Sequence, residues 1–294
     1  MRTVLADLLE LLQLERIEQN LFRGQSQDLG WGAVFGGQVL GQALSAAEQT
    51  VPEDRPVHSL HGYFLRSGDA SKPIVYTVDP IRDGRSFTTR RVVAIQAGRP
   101  IFNMAASFQV VEEGFDHQAK MPDCKPPEEL ESELIVARRH AANIPDKWRE
   151  MATCERPLET RHAEPHTPLM PRVGPPRRCV WYRAIDKLPE VTSAHAWLLA
   201  YSSDFNFLTT ALNPHGVSWL SPRMQVASLD HAMWFHRPFR MDEWLLHVID
   251  SPSAQGARGL VRGEFFTRDG RLVASTVQEG LMRLWPEKGS GIDT

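Results

Sequence analysis

The chain has 294 residues, of which 42% are hydrophobic and 23% charged, a composition that excludes a disordered chain and leaves room for one large or two ordinary domains. Its 33 basic and 36 acidic residues give a net charge of -3, which argues against a nucleic-acid binder but leaves room for a local basic pocket around a phosphorylated ligand. Mean hydropathy is -0.33, and no window approaches the ~18 apolar residues of a membrane span, so no membrane insertion is expected.

In chain order, the first stretch holds Asp7 and Glu10 inside an apolar run and predicts an amphipathic helix, not a signal peptide. The glycine-rich GWGAVFGG (30–37) leads directly into a predicted helix over 36–50. Its backbone N–H groups suit an anion or a polarised carbonyl; close packing of a helix on a sheet is the plainer alternative. Strands are predicted over about 58–66, 74–79, 87–96 and 101–111, with Asp83-Gly84 as a turn. Residues 116–176 hold ten of the 21 prolines and form a connector, within which 128–144 fits one helix. A second helix is predicted over about 193–212, followed by strands over about 224–236, 243–250, 257–267 and 271–284, with Asp269-Gly270 closing a tight hairpin. The C-terminal GSGIDT carries no peroxisomal address. Cys124, Cys154 and Cys179 lack CxxC spacing and predict neither a disulfide framework nor a zinc site, which makes the cytoplasm the expected location.

The two halves resemble each other. GGQVLGQAL (36–44) aligns with DFNFLTTAL (204–212), HSLHGYFLR (58–66) with ASLDHAMWFHR (227–237), and GRPIFNMAA (98–106) with GRLVASTVQ (270–278). Three matches in the same order imply duplication of a unit of about 110 residues. Each unit is one apolar helix followed by antiparallel strands, an α+β architecture in which a curved sheet wraps the helix. The expected division is an N-terminal repeat over 1–115, a connector over 116–176, a C-terminal repeat over 177–286 and a tail over 287–294.

Three polar residues stand out. Asp204 falls on the stripe of Tyr201, Leu208 and Leu212, where a carboxylate is unusual unless it is partnered or functional. A structural acid at a helix irregularity is the alternative. Its counterpart in the first half is Gly36, an asymmetry that core packing alone does not explain. Ser228 opens a strand and matches Ser59; Gln278 ends an alternating run and is replaced by Ala106 in the first half. Taken singly, both fit ordinary strand positions. Among 11 histidines, Asp230 and His231 point to opposite faces of an extended strand and His236 is too far along it for a shared metal. His162 and His166 flank Pro165 without an HExxH pattern, and His58 fits a base, a substrate contact or a strand-end residue. GxSxG, GxxxxGK[ST] and GxGxxG are all missing, which disfavours a serine α/β-hydrolase, a phosphate loop and a dinucleotide fingerprint.

SLDHAMWFHRPFRMDEWLL (228–246) and ARGLVRGEFFTRDGRLVASTVQEGLMR (257–283), with GQVLGQAL (37–44) and HSLHGYFLRSGD (58–69), closely resemble the acyl-CoA thioesterase II family. The resemblance covers essentially the whole chain. It implies a double hotdog fold, hydrolysis of fatty acyl-CoA to fatty acid and CoA, no metal or organic cofactor, and a homo-oligomer. It places the family's catalytic acid, hydroxyl and amide on Asp204, Ser228 and Gln278; many members carry threonine where this chain has Ser228. Asp204 would then activate a water held by Ser228 and Gln278, with Ser228 as covalent nucleophile the runner-up. A hotdog dehydratase, which would need a histidine near Asp204, and a non-catalytic acyl-CoA-binding protein are the alternatives from other classes.

Overall fold

The computed structural model describes residues 3–164, 167–190 and 192–286. Helix α1 (Val4–Leu12) buries Leu5, Leu8 and Leu12, the apolar face expected of its spacing, and Thr3 caps it through a hydrogen bond from the Ala6 N–H. Strands β1 (Glu15–Glu18) and β2 (Leu21–Gly24) follow. Helix α2 (Gly36–Glu48) is buried continuously from Gly37 to Ala47. It is a core helix; Leu40 and Leu44 alone are each worth about 1.5–3 kcal/mol in apolar burial. Its two buried amides are satisfied: Gln42 Nε2 donates to the Leu11 and Gln25 carbonyls and Gln42 Oε1 accepts from the Tyr76 hydroxyl, while Gln38 also reaches Gln25 O. Then come β3 (Val57–Phe64), β4 (Ile74–Asp83), β5 (Phe87–Gln96) and β6 (Arg99–Gln109).

The connector differs from the single helix expected over 128–144. It holds α3 (Glu133–Arg139), flanked by short 3-10 turns, and α4 (Asp146–Thr153). The Arg161 guanidinium binds the Pro127 and Leu130 carbonyls, taking acceptors that a continuous helix would need, and Pro145 sets the start of α4. Strands β7 (Leu158–His162) and β8 (Arg177–Ala184) lead to α5 (Thr192–Ser203) and a 3-10 helix, Leu208–His215. The chain ends in β9 (Met224–Ser228), β10 (Asp230–Phe235), β11 (Leu245–Gln255), β12 (Arg258–Thr267) and β13 (Leu272–Leu284).

All named strands join one antiparallel sheet, in the order β1-β2-β4-β5-β6-β3-β10-β13-β12-β11-β8-β7, with β9 on β13. The order β2-β4-β5-β6-β3 is repeated in reverse as β10-β13-β12-β11-β8, and β3 pairs with β10 at the centre. The irregularities repeat as well. β4 slips register between Asp79 and Arg82, β11 between Asp250 and Ser253; the β5–β6 slip at Ala94/Ile95 returns in β12–β13 at Phe265/Phe266. Bulges preserved at matching places are the strongest mark of duplication in the backbone. α2 rests on β3–β6 and the 3-10 helix on β8 and β11–β13, so each half wraps a helix in a curved sheet. This is the double hotdog. One hydrophobic core runs through both halves, from Leu5 through Leu40 and Tyr201 to Ala274.

The register corrects one alignment. Val57 pairs with Phe108 as Ser228 pairs with Gly280, so the first-half counterpart of Ser228 is Val57, not Ser59. The counterpart of Gln278 is Ala106, as expected. The second helix also differs from the continuous 193–212 segment. It breaks after Ser203, because Asn206 takes a left-handed conformation (φ 59°), tolerated by a short polar side chain. Tyr182 holds the break, its hydroxyl donating to Phe205 O and accepting from Asn206 Nδ2.

Candidate active site

That break presents Asp204 to the start of α2. The N-cap position of α2, Phe35, offers no side-chain acceptor, and the Asp204 carboxylate comes up against the first turn of the helix, where the Gly37 N–H helps to lower its pKa. The glycine-rich run leads into a helix start that faces the protein's own carboxylate. The glycines also permit a close crossing of two helices: a Cβ on Gly37 would lie 2.1 Å from Tyr201 O, and one on Gly41 3.1 Å from Trp197 O. A Cβ on Gly36 would lie 2.5 Å from Asp204 Oδ2. The counterpart positions Gly36 and Asp204 thus touch, which puts them beside the pseudo-twofold axis relating the halves.

The structure brings Asp204, Ser228 and Gln278 together. Ser228 Oγ donates to Asp204 Oδ1 at 3.2 Å, and Gln278 Nε2 donates to Ser228 Oγ at 2.8 Å. β9 and β10 separate at Leu229, whose N–H goes to Glu279 O while its carbonyl accepts from the Phe64 N–H, and this kink turns Ser228 toward the acid. Gln278 is fully buried, whereas Asp204 and Ser228 keep some exposed surface, as attack by a solvent molecule requires.

Sequence reasoning considered His231 only as a metal ligand and missed its place here. His231 is buried on β10, with Nδ1 2.6 Å from Gln278 Oε1 and Nε2 3.0 Å from Ser203 Oγ. An amide oxygen can only accept, so Nδ1 carries the proton, while Ser203 Oγ, which donates to the Ala200 carbonyl, meets Nε2 on the other side of the ring. The donors then run His231 to Gln278 to Ser228 to Asp204, all oriented toward one carboxylate. The available signal was that His231 lies on the inward face of β10, where the matching first-half position holds an apolar Leu60.

Burial pushes the Asp204 pKa up from its ordinary value, against opposing effects of His231, Gln278, Ser228 and the Gly37 N–H. Burial pushes His231 down, opposed mainly by Asp204. Phe207 packs between His231 and His247; the latter is buried, stacked on Phe265 at 3.8 Å, and held well below its ordinary pKa by desolvation.

The other histidines lie elsewhere. His58 bonds Ser107 Oγ on the far side of β3, and His236 bonds Ser275 Oγ. His162 meets Glu133, and His166 lies outside the described residues. Asp230 caps the Glu279 N–H. Among the described residues no group of three His, Cys, Asp or Glu side chains is arranged to hold a metal ion.

Comparison with known proteins agrees with this architecture. A family model described as acyl-CoA thioesterase matches residues 148–281, and one described as acyl-CoA thioesterase N-terminal domain matches 26–109. The chain is 45% identical over 283 residues to acyl-CoA thioesterase 2 of Haemophilus influenzae, covering 96% of this chain and 99% of that one. It is 40% identical over 285 residues to acyl-coenzyme A thioesterase 8 of Homo sapiens, covering 94% and 89%. The crystal structure of the acyl-CoA thioesterase II TesB2 from Mycobacterium marinum superposes with a TM-score of 0.77 at 42% identity, covering 95% of this chain and 99% of that one. With the repeated wrapped helix and these relatives in hand, the chain belongs to the acyl-CoA thioesterase II family.

Proposed function

We propose that this protein hydrolyses fatty acyl-CoA to a free fatty acid and CoA with water activated by Asp204. The observation that carries the reading is the hydrogen-bond chain ending on that carboxylate at the start of α2. A thioester is already activated, so the enzyme needs one oriented water and one base. Water attacks the carbonyl carbon and its proton passes to Asp204; the C–S bond then breaks and CoA thiolate takes up a proton. General-base help of this kind is worth roughly 10²–10⁴-fold. Ser228 and Gln278 orient the water, and neither is a base: the amide is uncharged, and the Ser228 hydroxyl has no imidazole acceptor. His231 positions the Gln278 amide from behind.

In this reading the enzyme is cytoplasmic and a homo-oligomer, with the terminal strands β1 and β7 offering free edges for assembly. Palmitoyl-CoA with a thiol reagent tests the activity. Wild type is expected to release CoA, and Asp204→Asn to release it at least ~10²-fold more slowly. Near-normal turnover by folded Asp204→Asn would refute the assignment. An added acyl mass on Ser228 in enzyme quenched during turnover would replace the water mechanism by a covalent one.

A further inference from the structure

An unbroken line of aromatic rings leaves the site. Phe205, next in the chain to Asp204, stacks on Phe35 with centroids 4.3 Å apart. Phe35 meets Trp31 edge-on at 5.9 Å, Trp31 meets Trp219 at 6.3 Å, and Trp219 meets Trp148 of α4 at 5.6 Å. Met151, one helical turn beyond Trp148, has its Sδ 3.2 Å from where a Cβ on Gly30 would stand. The line therefore runs from the buried joint of the two halves to the outer wall of the connector.

Trp31 is 41% exposed, unusual for so large an apolar side chain, and the loop that carries it is tightly built. The Asp28 carboxylate accepts from the Gly30, Trp31 and Gly32 N–H groups at 2.8, 2.9 and 2.9 Å. Gly30 (φ 96°) and Gly32 (φ 70°) take left-handed conformations that a side chain would strain. A loop fixed in this way holds an indole partly in water against its hydrophobic preference. That cost is recovered when an apolar ligand covers the ring. Phe205, Trp31, Trp219 and Trp148 each keep part of their ring surface exposed, and a row of such rings suits a linear hydrocarbon.

We propose that the acyl chain of the thioester lies along Phe205, Phe35, Trp31, Trp219 and Trp148, with α4 as the far wall, so that the connector selects for chain length. The proposal rests on the thioesterase reading for the identity of its ligand. It assigns the connector a part in the binding site, beyond joining two repeats. The same residues fit a short acyl group poorly, because such a group would end at Phe35 and leave the indoles uncovered.

The test is kcat/KM for butyryl-, octanoyl- and palmitoyl-CoA in wild type, Trp31→Ala, Trp148→Ala and Trp148→Phe. Each buried methylene contributes roughly a fourfold factor. The loss in Trp148→Ala is therefore expected to be at least ~10-fold larger for palmitoyl-CoA than for butyryl-CoA, with Trp148→Phe recovering most of it. Equal losses at every chain length, or none, would overturn the proposal. A non-hydrolysable palmityl-CoA thioether bearing a terminal diazirine gives a readout free of turnover. Photolabel on peptides containing Trp148 or Trp219 supports the path; label confined to other segments overturns it. Should wild type release no CoA from any thioester, the thioesterase reading falls, and the labelling still decides the path.

Discussion

At the level of single residues, Asp204 links reactivity to stability. Desolvation raises its folded-state pKa above the unfolded value, so folding favours its protonated form. That favourable contribution is complete below the unfolded pKa and is lost as pH rises through the folded pKa. At neutral pH the ionised carboxylate is therefore a burden on the fold. Asp204→Asn is expected to match or exceed the wild-type Tm at neutral pH, with the difference closing in acid, while losing activity; thermal unfolding across pH checks this, and a lower neutral-pH Tm would contradict it. The acid limb of the kcat profile is expected above the usual carboxylate range. His231 predicts a different pattern. It touches Gln278 and Ser203, not the substrate, so His231→Ala is expected to lower kcat by about 10-fold, the worth of roughly one lost hydrogen bond, and to leave KM nearly unchanged. A rise in KM alone would make His231 part of substrate binding.

Elements show how local chemistry sets these positions. α2 and α5 cross closely because Gly37 and Gly41 sit one turn apart and face two carbonyls. Gly37→Ala forces Cβ into Tyr201 O and is expected to cost about 1–3 kcal/mol of stability, measured by denaturant unfolding. Gly36→Ala meets mainly the Asp204 carboxylate and Phe64, so activity is expected to fall further than stability does. Most strands were legible from alternation and turn residues: 87–96 coincides with β5, and the hairpin at Asp269-Gly270 has Gly270 at φ 88°. β2 and β8 were not, since Leu21–Gly24 is very short and β8 emerges from a proline-rich segment. Asp204 and Gln278 were legible because the halves could be compared and the first copy lacks the acid and the amide, whereas Ser228, aligned in the sequence with Ser59, was reached through the family resemblance. The break at Asn206 was not, because Tyr182 enforces it from another strand. His231 stayed hidden for a similar reason: its partners come from α5 and β13, and no local spacing joins them.

For the molecule as a whole, the continuous sheet and shared core make the two halves one structural unit. Only one half supplies the acid, so titration with a tight-binding acyl-CoA analogue is expected to saturate at one equivalent per chain; two equivalents would mean that the first repeat holds a site of its own. The contact between Gly36 and Asp204 gives this asymmetry an evolutionary meaning. In an ancestral homodimer of identical single-hotdog subunits, whatever stood at this position would stand there twice, within touching distance. Two carboxylates so close would share a proton, and neither would be a free base. With both copies in one chain the two positions can differ, and here a glycine at 36 leaves room for the acid at 204.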